Sequence, residues 1–127
     1  MALKQIRLEL ARTKDYPNGS ASHGYEFVAP LDNEGHLDMD EWKKNAQACT
    51  VHRFWAGEDD ETGQLIHNRK GWAFSYEPGD EDDEPIFKFD RHDFREGEYI
   101  SVTEHDGETR PFKITWVRTP PQLARDY

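Results

Sequence analysis

The sequence has a single cysteine among 127 residues, Cys49. One thiol excludes an internal disulfide framework and any metal site built on a cysteine cluster. Aliphatic residues are sparse, and the whole hydrophobic set amounts to 35%. No apolar run approaches the ~18 residues needed to span a bilayer as a helix. The first residues, Met1-Ala-Leu-Lys-Gln-Ile, lack the apolar stretch of a secretory signal. The expectation is a soluble, cytoplasmic protein. Also missing are a Gly-rich phosphate loop, a nucleophile elbow and a metalloprotease helix, so the common motif-defined enzyme classes have no foothold.

What is present is aromatic and acidic. Four Trp, five Tyr and seven Phe compensate for the thin aliphatic complement and argue against a disordered chain. The length suits one domain, predicted over residues 1–119 with a loosely ordered tail at 120–127. The net charge of −10 has an address. Glu58, Asp59, Asp60 and Glu61 lie in one stretch, and Glu77, Asp80, Glu81, Asp82, Asp83 and Glu84 in another. Neither stretch holds a Lys or Arg, and outside them acids and bases balance. Such a distribution repels nucleic-acid phosphates and attracts a basic protein or a divalent cation.

The strand signals dominate. Ile6, Leu8 and Leu10 alternate with Arg7 and Glu9, as in a half-buried strand. Residues 13–24 read as a long loop. Strands are predicted at Tyr25–Ala29, Cys49–Trp55, Gln64–His67, Trp72–Glu77, Ile86–Asp90, Glu98–Glu104 and Arg110–Val117. One helix is predicted, Met39–Ala48, with Asp38 as N-cap and Glu41 in the capping-box place. In the last hairpin a two-residue turn at Asp106-Gly107 would put Ile100 and Val102 on the opposite face from Phe112, Ile114 and Trp116. A three-residue loop with Gly107 left-handed pairs Ile100 with Phe112 and gathers all five on one face, which burial favours. The fold class expected is mainly β: a small barrel or sandwich of about seven antiparallel strands with one short helix.

Candidate chemistry is diffuse. Asp32, Glu34, Asp38 and Glu41 partly match EF-hand spacing, but the first ligand position falls on Pro30 and the preceding segment reads as extended. A turn followed by a capped helix accounts for the same residues. Cys49 and His52 sit three apart on a strand and so face opposite sides. If Trp55 and Gln64 close a plain hairpin, His52 lies opposite His67, and the two could share a metal with Asp90 or His92. Two stretches, His23-Gly-Tyr-Glu-Phe-Val-Ala-Pro-Leu-Asp32 and Phe94-Arg-Glu-Gly-Glu-Tyr-Ile-Ser-Val102, resemble a family of small uncharacterised bacterial proteins. The resemblance implies no activity and assigns no site residue.

The resulting expectation is a non-enzymatic interaction module, without a required cofactor, in which Glu58, Asp59, Asp60, Glu61, Asp80, Glu81, Asp82, Asp83 and Glu84 face a basic protein partner. The alternative is a small metal- or ligand-binding protein, a metal-dependent enzyme included, using His52 and His67. Nucleic acid is the disfavoured partner.

Overall fold

In the computed structural model, residues 2–68, 71–76, 83–86, 89, 93–104 and 106–119 are described. Eight antiparallel strands form one sheet: β1 Ala2–Leu10, β2 Ser20–Leu31, β3 Thr50–Trp55, β4 Glu61–Asn68, β5 Gly71–Ser75, β6 Glu84–Pro85, β7 Tyr99–Thr103 and β8 Thr109–Arg118. The order across the sheet is β6-β5-β4-β3-β2-β1-β8-β7. Its two edges meet through a bridge between Ile86 and Val102. The sheet therefore nearly closes into a barrel in which each strand lies beside its neighbours in sequence, all the way round. Eight strands leave an interior just wide enough for side chains to fill.

Inward alternation fills it. Ile6, Leu8 and Leu10 of β1 face Tyr25, Phe27 and Ala29 of β2, and Phe74, Phe89 and Phe112 complete an aromatic axis that is fully buried. Phe27 touches Phe74, Phe89 and Phe94 at ring-centroid separations of 5.2, 5.7 and 6.1 Å. Gly24 and Gly63 let strands coil tightly around this core. A Cβ at Gly24 would stand 1.9 Å from the carbonyl oxygen of Leu8, and one at Gly63 would stand 2.1 Å from that of Ser75. Only glycine permits so close a backbone approach.

The helix begins where its capping signal predicts. The Asp38 carboxylate accepts from the Glu41 amide, and α1 spans Met39–Asn45. The last predicted turn is instead a short 3-10 turn, Ala46–Ala48. Preceding it, Asp32 accepts from the Glu34 and His36 amides, so this segment is a turn leading into a capped helix. The Trp42 indole donates to the Leu65 carbonyl and meets Trp72 edge-on at 4.9 Å, which pins α1 against β4 and β5.

The last hairpin has the three-residue loop. Ile100 pairs with Phe112, and Gly107 has φ 87°. One side chain departs from the expected face. A bulge in the β1–β8 ladder puts Trp116 opposite Arg7 and Val117 opposite Ile6. Val117 packs on the core, while Trp116 stacks under Arg118 with the guanidinium 3.4 Å from its ring. An unpaired residue reverses the alternation beyond it. Of the strand expected at Ile86–Asp90, only residues 86 and 89 are described. Ile86 makes a single bridge and Phe89 sits in a 3-10 turn, while 87, 88 and 90 lie outside the described residues. The tail, 120–127, lies outside them too.

Candidate functional site: the acidic end of the barrel

Antiparallel pairing sends alternate connections to opposite ends. The strand ends joined by the connections 11–19, 56–60, 76–83 and 104–108 lie at one end, as the pairs Leu10–Ser20, His23–Trp55, Gln64–Ser75, Leu10–Phe112 and Thr103–Thr109 require. Both acidic stretches are thus attached at the same end. Glu58, Asp59 and Asp60 are exposed there, joined by Asp106 and Glu108. Asp83 is partly buried, whereas Glu77, Asp80, Glu81 and Asp82 lie outside the described residues.

Beneath this rim the barrel holds a buried polar cluster. Arg53 is 4% exposed, Glu104 3% and Glu84 0%. Glu84, read from sequence with the rim acids, instead points inward: it pairs with Phe74 across the β5–β6 ladder and shares that residue's inner face. The Tyr25 hydroxyl lies 3.0 Å from Glu84 Oε1 and 3.1 Å from Glu104 Oε1. Tyr76 donates to the same Glu84 oxygen at 2.6 Å. Arg53 donates to Glu104 at 3.1 Å and to Glu58 at 3.1 Å, and its Nε stands 3.6 Å from Glu84 Oε2. Arg110 closes the top, hydrogen-bonding Glu104, Asp106 and Glu108.

Burial alone would disfavour charge on Arg53, but the surrounding Tyr25, Glu84 and Glu104 outweigh it and hold its pKa above the ordinary value. Burial, reinforced by the Glu84 charge, raises the pKa of both Tyr25 and Tyr76, so both hydroxyls keep their protons. Tyr25 has one proton to give and two carboxylates in reach, so it satisfies one of them at a time.

An aromatic wall flanks the cluster. Trp55 has Arg53 4.5 Å from its ring and His23 edge-on at 4.6 Å. His23 is itself buried, with Nδ1 2.6 Å from the Ser20 hydroxyl and Nε2 3.2 Å from that of Tyr16. Burial holds its pKa below the ordinary value. Outside this wall runs a groove of about 430 Å³ whose lining includes Tyr16, Trp55, Glu108 and Arg110.

The histidine pair predicted from sequence does not come together. The β3–β4 register sets His52 opposite Thr62, and β4–β5 sets His67 opposite Trp72. The ladder is displaced from the expected hairpin because residues 61–63 belong to β4 and the connection spans only 56–60. His52 pairs with Asp60 at 2.9 Å on the outer face, and His67 stacks on Trp72 at 4.6 Å. Asp90 and His92 lie outside the described residues. Among the described residues, no three His, Cys, Asp or Glu side chains converge to hold a metal ion. Cys49 is fully buried, and desolvation pushes its thiol up to about 11. Among them, too, no helix is long and apolar enough to cross a membrane.

Sequence reasoning missed Tyr25, Arg53, Tyr76 and Glu104. The signal was present for two of them. Arg53 continues the inward alternation of Val51, and Glu104 that of Ile100 and Val102. Comparison with protein-family models, curated proteins and solved structures found no match.

Proposed function

We propose that the protein is a non-enzymatic interaction module whose acidic barrel end engages a basic segment of another protein. The observation supporting this is that Glu58, Asp59 and Asp60 are exposed at the end to which both acidic stretches are attached, the end that also carries a groove walled by Tyr16 and Trp55. A field of one sign over a partly apolar surface accelerates encounter with an opposite charge and then offers area for contact. The buried cluster holds Trp55 and Arg110 in place, so the groove is built before a partner arrives.

The test is a stopped-flow and equilibrium titration with a ten-residue Lys/Arg peptide at low and moderate salt. Two variants carry equal charge changes. One neutralises Asp59, Asp60, Asp80 and Asp82, on the two connections attached at the acidic end. The other neutralises Glu34, Asp40, Glu96 and Glu98, which are attached at the opposite end. The expected result is saturable binding that weakens with salt and drops at least tenfold in association rate only in the first variant. Equal loss in both variants, or no saturable binding at low salt, would overturn the proposal.

A further inference from the structure

We propose that the line between β6 and β7 is the opening line of the barrel, latched from inside by Tyr25 and Arg53. Everywhere else on the described sheet, neighbouring strands share ladders of two or more residue pairs. Between β6 and β7, among the described residues, the backbone contributes one bridge, Ile86 to Val102. A set of side chains joins the two lips beside it. Glu84 belongs to one lip, and Glu104 directly follows the strand that forms the other. Both reach the same two groups, Tyr25 on β2 and Arg53 on β3.

Those two groups come from across the barrel. In the sheet order, β2 lies four strands from β6 and three from β7, which is the opposite wall of an eight-stranded ring. Tyr25 and Arg53 are cross-strand partners there. A hydroxyl and a guanidinium therefore tie both lips to the far wall. Tyr76 and Arg110 also hold Glu84 and Glu104, but each does so from its own side of the seam, so only Tyr25 and Arg53, among these four, reach across the barrel. The grip is also uneven. Arg53 hydrogen-bonds Glu104 but stands 3.6 Å from Glu84, and its Nε has no hydrogen-bond partner. Phe74 and Phe112 lie behind these lips in the core, so parting them leads into the apolar interior without breaking the continuous β1–β5 meander.

Such a line should open as a cooperative unit of its own, below the free energy of global unfolding. Native-state hydrogen exchange in increasing urea reads this directly. In the wild type, residues 99–104 are expected to exchange through an opening at least tenfold more frequent than the one governing residues 4–10 and 25–31. That opening should carry a measurable urea dependence, which terminal fraying lacks. Tyr25→Phe should raise exchange at 99–104 at least tenfold more than in β1 and β2. If that variant does not fold, Glu104→Gln serves, since it keeps an acceptor for Tyr25 while removing the charge that Arg53 holds. Exchange of 99–104 in step with β1 and β2 in the wild type, or an equal rise in all strands in the folded variant, would overturn the proposal.

Discussion

Replacing Arg53 with methionine removes one positive charge from a space containing two buried carboxylates. Glu84 and Glu104 are 0% and 3% exposed, so water does not readily replace the lost guanidinium. Removing one partner of a buried ion pair costs about 3–5 kcal/mol, and the loss falls toward the lower end here because Arg110 still pairs with Glu104. The stack on Trp55 adds less than about 1 kcal/mol. For a domain of this size the loss corresponds to a drop in Tm on the order of 10–20 °C. Urea unfolding followed by far-UV circular dichroism measures it. A second variant, Arg53→Met with Glu84→Gln and Glu104→Gln, removes the charges together and should recover much of the loss, since a neutralised cluster no longer strands an anion. A loss below about 1 kcal/mol in the single variant, or a compensated variant no better than the single one, would refute the claim that Arg53 neutralises the interior.

Two further predictions concern ionisation. Cys49 is held to a pKa of about 11 by desolvation, so its thiolate fraction at pH 8 is roughly a hundredfold below that of a free thiol. Labelling with a disulfide reagent should be correspondingly slow in the native protein and prompt in urea; prompt native labelling would contradict the burial. His23 has a lowered pKa through burial, so the folded state favours the neutral ring while the unfolded chain takes up a proton below about 6.5. Its contribution is complete above that value and is lost as pH falls through the folded pKa. Wild type should lose more stability than His23→Gln between pH 7 and pH 5, and parallel curves would remove His23 as the cause.

Much of the architecture was legible because burial and local geometry agreed. The alternation of Ile6, Leu8 and Leu10 defined β1, and Asp38 marked the helix start. In the final hairpin, burial of Ile100, Val102, Phe112 and Ile114 selected one loop length over another. The rule failed where polar residues occupy inward positions. Phe54 faces outward under Arg7, with the guanidinium 4.3 Å from its ring, while Arg53 faces inward. The expected His52–His67 pair rested on a hairpin closed by Trp55 and Gln64; β4 instead begins at Glu61, which moves His52 opposite Thr62. Glu84 is another inward polar residue: it follows a run of acids in sequence, and only the register with Phe74 turns it inward. The Thr115 bulge left no mark on a strand where Trp116 and Val117 are both apolar.

The ring order of the strands also bears on how the chain finds its fold. Most of the ladders join strands that follow one another in sequence, so each forms by closing a short segment. The β1–β8 ladder is different: Thr115 and Arg7, which touch through a hydroxyl and a carbonyl, are 108 residues apart. Loop-closure entropy grows with the length enclosed, and distant pairings slow folding. The meander can assemble piecewise from either side, but the circle is completed only when the two ends of the domain find each other. That union joins the strands farthest apart in the sequence.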